Sequence, residues 1–329
     1  MERLQPYRML WQKRADGGAR LLRLYGTSPV VRLPQQIAGH PIVEIAPYCF
    51  AAGPKGWHGD VEDTADGQPE DASCLQELHT NAIEELCLSD SVEKIGNCAF
   101  YNCRKLHTLC IGAKTADIGS DAFMNTLSFH KLNLRCGAGE KSGVRQILAQ
   151  VSSDMEVRFI SDAGTEASLL YPEYYESYDE VAPAHLFGRS ILGEGFRARQ
   201  CIRDGRVDFA GYDAVFLQAC AEEREETLSQ MALGRLMYPY ALHAKNREIY
   251  RECLTGHIRE ISGRFVRRKD FSGLRFLHRE NLLYGAELAA CAQAAAESGW
   301  AEGAAGLLGW MAKGRTASKK RYDFDDGFV

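Results

Sequence analysis

Cys87 and Cys110 stand 23 residues apart, and so do His107 and His130. Thiolate and imidazole are ligands that zinc and copper prefer, so a fold that stacks these residues would offer a Cys/His cluster to a metal ion. Neither pair falls in a Cys-x-x-Cys or His-x-x-x-His pattern, and a repeat duplicates residue types by descent. The expectation is no metal and no cofactor, with Cys87, Cys110, His107 and His130 as the residues that would form a site if there were one.

Other fragments of chemical motifs are incomplete. Gly193-x-Gly195 is half of a phosphate loop, but a dinucleotide loop needs a preceding strand, a third glycine and a βαβ unit. It reads as a turn between helices. Arg264-x-x-Arg267-Arg268-Lys269, with Arg275, His278 and Arg279 nearby and Lys319-Lys320-Arg321 beyond, can meet phosphates, yet such runs are usually solvated helix faces. A net charge of −5 argues against a dominant grip on nucleic acid or an anionic membrane. There is no Gly-x-Ser-x-Gly elbow, P-loop or His-Glu-x-x-His motif, and 11 Cys with 9 His will pair by chance. No catalytic residue is assigned and the chain is expected not to be an enzyme.

The elements that would position these residues come from a repeat. Ile95-Gly96-Asn97-Cys98-Ala99-Phe100 returns as Ile118-Gly119-Ser120-Asp121-Ala122-Phe123, and Leu86-Cys87-Leu88 returns as Leu109-Cys110-Ile111 and Leu132-Asn133-Leu134, each at a shift of 23. A period of this size marks a leucine-rich-repeat solenoid, in which each unit buries its apolar face against its neighbours. Alternation along each rung puts the leucines inside. Glu85, Cys87 and Ser89 are then expected outside, with Thr108, Cys110 and Gly112 on the next rung and Lys131, Asn133 and Arg135 on the third. Val157 and Phe159 look like a further rung, entered through a helix over Val144 to Val151. The phrase also occurs as Ile45-Ala46-Pro47-Tyr48-Cys49-Phe50, and the excess spacing to the next copy falls in an acidic, apolar-poor stretch read as a mobile insertion at about 51–74.

The expected layout is a cap hairpin at 1–30, with a turn at Asp16-Gly17-Gly18, and a solenoid at 31–160. A linker or docking segment follows at 161–183, then a helical domain at 184–315 and a polar tail at 316–329. The helical half is predicted to carry helices over Tyr212 to Glu222, Glu223 to Met237, Ala241 to Val266, Asp270 to Leu277, Tyr284 to Glu297 and Trp300 to Lys313, the last ending at Gly314. The linker contains Tyr171-Pro172-Glu173-Tyr174-Tyr175-Glu176-Ser177-Tyr178, an aromatic and acidic run that suits either recognition or half-buried docking. The fold class is mixed α and β, a β-solenoid followed by an all-α bundle or short α-solenoid.

Val31-Arg32-Leu33-Pro34, followed by Ile37-Ala38-Gly39-His40-Pro41-Ile42-Val43-Glu44-Ile45 and Phe50, resembles the opening repeat of BspA-like leucine-rich-repeat proteins. Ala99-Phe100-Tyr101-Asn102-Cys103-Arg104-Lys105-Leu106 resembles that family's repeat core. The resemblance covers roughly residues 20–135 and implies a slab used for protein binding, best known on surface adhesins. A second resemblance, carried by Gly193-x-Gly195-Phe196-x-x-Arg199-Gln200-Cys201, Asp204-Gly205-x-Val207-Asp208-Phe209 and Tyr212-Asp213-x-x-Phe216, is to the helical tail of some clostridial BspA-like proteins. It implies a domain boundary and no chemistry.

The leading expectation is a non-catalytic binding or scaffold protein with a protein partner. It would present Glu85, Cys87, Ser89, Thr108, Cys110, Lys131, Asn133 and Arg135, with a row running from acidic to basic. Alternatives are a surface adhesin and a nucleic-acid-binding or enzymatic helical half. Met1 to Lys13 forms no apolar leader core, no stretch is apolar enough to span a bilayer, and the scattered, odd set of cysteines reads as reduced thiols. The expected location is the cytoplasm.

Overall fold

A hairpin opens the chain. β1 (Tyr7–Lys13) and β2 (Ala19–Gly26) pair antiparallel, around a turn in which Gly17 takes φ +84° and Gly18 N–H donates to Asp16 Oδ1 at 3.0 Å. Tyr7, Met9 and Trp11 alternate into the core. The computed structural model describes residues 7–53, 57, 60–66, 74–181 and 186–319. By packing, it divides into two units, residues 1–227 with 238–242, and residues 228–237 with 243–329.

The first unit is a ladder with two sheets. After β2 come β3 (Val30–Arg32), β4 (Gln36–Ile37), β5 (His40–Ile45), β6 (Glu62–Asp66), β7 (Gln76–Glu77), β8 (Glu85–Cys87), β9 (Lys94–Ile95), β10 (Thr108–Gly112), β11 (Asp117–Ile118) and β12 (Lys131–Arg135). A short helix α1 (Val144–Leu148) leads into β13 (Met155–Ser161) and β14 (Gly164–Tyr171). One sheet runs β14-β13-β12-β10-β8-β3, and the other runs β11-β9-β5-β2-β1-β6. From β3 to β13 the neighbours of the first sheet are parallel, as successive turns of a solenoid require. The expected rung at Val157 and Phe159 is β13, in register with Leu132 and Leu134.

The last residues of the three phrase copies form a buried spine that Phe129 continues. Phe50, Phe100, Phe123 and Phe129 stack in sequence, with ring centroids 5.3, 5.3 and 5.2 Å apart. Such pairs add about 0.5–1.5 kcal/mol each beyond the area they bury. The turns beside the spine bond from copy to copy, as in Phe50 N–H to Ala99 O and Phe100 N–H to Ala122 O, both 2.9 Å. Tyr48, Cys98 and Asp121, at one position of the phrase, all adopt positive φ, at 58°, 53° and 55°. Gly96 and Gly119 permit the approach, because a Cβ there would lie 2.4 Å from Pro47 N and 2.5 Å from Asn97 N.

Two expectations in this unit are corrected. The described part of the acidic insertion is not a free loop, since β6 pairs with β1, Arg8 bridges Asp63 at 2.6 Å and Trp11 Nε1 donates to Thr64 Oγ1 at 2.9 Å. The rest of that insertion lies outside the described residues. The expected linker is largely strand. β14 folds back on β13, and β15 (Tyr175–Val181) pairs with β16 (Leu186–Leu192). α2 (Gly195–Gln200), the small hairpin β17 (Ile202–Arg203) with β18 (Arg206–Val207), and α3 (Phe209–Glu222) follow. These belong with the ladder and not with a separate helical domain. Buried Arg199 donates to the carbonyls of Val151 at 3.0 Å, Ser153 at 2.7 Å and Pro172, and Tyr212 donates to Leu170 O.

The second unit is helical. It takes α4 (Glu225–Met237) from Leu228 on, then α5 (Ala244–Gly256), α6 (Ile258–Arg267), α7 (Phe271–Arg279), α8 (Gly285–Glu297) and α9 (Ala301–Lys319). The expected helix over Ala241 to Val266 is two helices, broken at His257 where φ is −116° and ψ 20°, because Gly256 weakens the helix there. Asp270 caps α7 as expected, accepting from Gly273 N–H at 2.9 Å. Gly299 ends the α8 turn at φ +71°, but Gly314 does not end α9, which runs on to Lys319. A single interior glycine costs about 1 kcal/mol relative to alanine, and no proline follows to stop the helix. The rest of the polar tail, with Lys320 and Arg321, lies outside the described residues.

Gly119→Ala is expected to destabilise the ladder by at least ~2 kcal/mol, since backbone must move to admit the methyl. Gly309→Ala, in α9 with nothing within 4 Å of the new Cβ, is expected to be neutral or to stabilise by up to about 1 kcal/mol. Urea unfolding of both variants checks the two signs.

Candidate functional site

The outward face of β8, β10, β12 and β13 carries rows of side chains set by register. Glu85, Thr108, Lys131 and Glu156 form one row, and Cys87, Cys110, Asn133 and Arg158 the next. Arg32 of β3 extends the second row below Cys87. Glu85, Cys87, Thr108, Lys131, Asn133 and Arg135 are half-buried on this face. Glu156 ends the expected acidic-to-basic gradient, because beyond Lys131 the row turns acidic again.

Ser89 and Cys110 differ from expectation. β8 ends at Cys87, so strand alternation stops before Ser89, which is fully buried with its hydroxyl 3.2 Å from Ser91 Oγ and 3.4 Å from Ile42 O. Cys110 points outward but is only 7% exposed. Arg135 lies over it, donating from Nη1 to Cys110 Sγ at 2.9 Å, from Nε to Asp90 Oδ1 at 2.6 Å and from Nη2 to Leu88 O. Arg135 is thus a strut across three rungs and not a free cation.

The two thiols of the second row interact directly. Cys87 accepts a hydrogen bond from Cys110, and this, with the positive charge of Arg135 and Arg32, lowers the Cys87 pKa to about 6 against the opposing effects of burial and Glu85. Arg32 Nη1 lies 3.9 Å from Cys87 Sγ. Cys110 is pushed the other way, first by that hydrogen bond and then by burial, so it keeps its proton. The result is a chain of donors, from Arg135 to the Cys110 sulfur and from Cys110 to the Cys87 thiolate, with Arg32 on the far side.

The histidines are adjacent but spoken for. Their rings lie 5.9 Å apart. His107 Nδ1 is 2.9 Å from Thr108 Oγ1, and His130 Nδ1 is 2.6 Å from Ser128 O. Among the described residues, no group of three or more His, Cys, Asp or Glu side chains is arranged to hold a metal ion.

The remaining sequence candidates separate in space. Gly193, at φ +91°, turns the chain between β16 and α2, after a two-stranded antiparallel sheet that is no βαβ unit. In the second unit His278 stacks on Trp310 with centroids 4.6 Å apart and its Nδ1 lies 3.1 Å from Leu283 O. Arg275 and Arg279 lie over Phe271 and Phe276. The aromatic run also divides. Tyr171 is buried, Tyr174 packs against Phe196 and Arg199, and Tyr175 and Tyr178 are exposed.

Sequence reasoning missed Arg32, Glu156 and Arg158. Aligning Val31 and Leu33 with Leu86 and Leu88 would have set Arg32 beside Cys87, and aligning Val157 with Leu132 would have set Glu156 and Arg158 beside Lys131 and Asn133.

The thiolate of Cys87 makes a measurable prediction. The difference in ultraviolet thiolate absorbance between the protein and its Cys87→Ser variant should rise with a midpoint near pH 6. Arg32→Leu and Arg135→Leu should each move the midpoint upward, since each removes a charge that favours the thiolate. A difference that appears only above pH 8 would contradict the arrangement.

Comparison with known proteins agrees with the ladder. Residues 76–142 match the BspA type leucine rich repeat region in 6 copies, and the match does not extend past residue 142. A crystal structure of a T. pallidum leucine rich repeat protein is similar at 22% identity, over 38% of this chain and 50% of that one, with a TM-score of 0.28. The chain therefore spans about half the length of that solved relative. No curated protein matches. Within the first unit, residues 76–142 are accordingly similar to a BspA-type leucine-rich-repeat region.

Proposed function

We propose that this chain is a non-catalytic binding module whose protein partner docks on the outward face of β8, β10, β12 and β13. Repeats of this kind generally mediate contact between proteins or adhesion. The observation that carries the reading is the register of that face. Parallel strands hold Glu85, Thr108, Lys131 and Glu156 in one straight row, half-buried and held by backbone rather than by loops. A surface fixed in this way loses little conformational entropy when a partner orders against it.

Charge is mixed along the row, which favours orientation and selectivity over raw affinity. Glu156 is engaged by Arg158 at 2.6 Å and by Ser168, so Lys131 is the cation of this row offered to a partner's carboxylate. Arg135 braces the ladder and Ser89 is inside, so both drop out of the proposed contact set. The set is Glu85, Cys87, Thr108, Lys131 and Asn133, with Cys110 as a covered neighbour. Placement in the cytoplasm is part of the proposal. Among the described residues, no helix is long and apolar enough to cross a membrane.

A photo-cross-linking residue at Thr108 in the full chain should capture the partner, and one at Met124, which is 49% exposed away from these strands, should not. Lys131→Glu should weaken binding about fivefold, the effect of losing about 1 kcal/mol at a contact. Capture from position 124 but not 108, with affinity unchanged in Lys131→Glu, would move the partner off this face.

A further inference from the structure

We infer that Cys87 and Cys110 form a paired-thiol reaction site that exchanges with low-molecular-weight disulfides, Cys87 attacking and Cys110 resolving. The site stands on geometry. The two residues are direct partners on adjacent parallel strands, and such strands run about 4.8 Å apart, inside the Cα separation of roughly 4.4–6.8 Å that a disulfide accepts. Cys87 is half-exposed, so a small disulfide can reach it, while Cys110 sits under Arg135 at 7% exposure and is shielded from direct attack.

The surroundings divide the labour between the two thiols. Arg32 approaches Cys87 from β3, Arg135 approaches Cys110 from β12, and Cys110 itself donates to Cys87 from β10. Glu85, on the same strand as Cys87, opposes the charge. Attack by a thiolate near neutral pH is favoured when its pKa lies near the ambient value. The other buried cysteines offer no such site. Cys103 is pushed up to about 12 by burial and donates to Phe50 O, and Cys49 is raised chiefly by burial, which outweighs the opposing charge of Arg23.

The chemistry balances in two steps. The Cys87 thiolate attacks one sulfur of the small disulfide, forming a mixed disulfide and expelling the other sulfur as a thiolate. Cys110 then gives up its proton to solvent and its sulfur attacks Cys87 Sγ, forming the Cys87–Cys110 disulfide and expelling the second small thiolate. Two protein thiols are oxidised and one small disulfide is reduced to two thiols. The product ties two rungs of the ladder together and removes the negative charge beside Arg32.

The test uses the full reduced chain and oxidised glutathione at pH 6, followed by peptide mass mapping. Cys220, exposed on α3, is the internal reference. The expected result is a Cys87–Cys110 linked peptide pair, formed at least about tenfold faster than Cys220 takes up glutathione, from the larger thiolate fraction of Cys87 less its lower intrinsic nucleophilicity. The Cys87 rate should level off above about pH 7, while the Cys220 rate climbs about tenfold per pH unit. Cys110→Ala should stop at glutathione on Cys87. Cys87 reacting no faster than Cys220 at pH 6, a mixed disulfide in the unaltered protein that never resolves, or first modification at Cys110 would each overturn the assignment. The comparison with Cys220 is made in the unaltered chain, so it stands even if a variant fails to fold.

Discussion

Successive turns of the ladder approach one another so closely that the backbone of one turn occupies the space a side chain would need on the next. Gly96 lies against Pro47 and Gly119 against Asn97, and the phenylalanine spine stacks beside them at just over 5 Å per step. The stacking holds the strand spacing of both sheets, because the turns from β3 to β11 each contribute one short strand to each sheet. A turn that slipped by one residue would break the spine, the copy-to-copy hydrogen bonds and the alternation of the rungs together. Tight stacking of this kind is also why cooperativity in a solenoid passes between neighbouring turns.

The outward face inherits its properties from that constraint. Registered strands put like positions of different repeats side by side, so the face is read in rows. One row alternates carboxylates with a hydroxyl and an ammonium. The other brings two thiols together between two guanidiniums, one of them an arginine from a strand two rungs away. Neither thiol would be unusual alone. Their juxtaposition makes one the proton donor and the other the charged acceptor, with the charges of Arg135 and Arg32 favouring the thiolate of Cys87. The same stacking explains why Arg135 is structural, since its reach across three rungs fills the gap left where β8 is shorter than β12.

Much of this was legible in the residues. The period of 23 located the rungs, and alternation assigned Glu85, Cys87, Thr108, Lys131, Asn133 and Arg135 to the outside. Alternation failed at Ser89, where the strand had already ended, and it could not foresee that Arg135 would bury Cys110, because that contact joins residues 25 apart through side-chain length. β6 was hidden because an edge strand pairing through its backbone needs no apolar pattern. β15 and β16 were hidden for a related reason, since exposed Tyr175 and Tyr178 give no inside-outside contrast. Arg199 and Tyr212, which bind the first helices to the ladder, are polar residues whose burial depends on carbonyls distant in sequence.

The spine on one side sets the order of the face on the other. Hydrogen exchange of the full chain and its Phe100→Ala variant, followed by mass spectrometry, tests it most directly. In the variant, β8, β10 and β12 are expected to lose protection together with residues 95–123, although Phe100 contributes no side chain to the outward face. Loss confined to residues 95–106, with the three outward strands as protected as before, would contradict it.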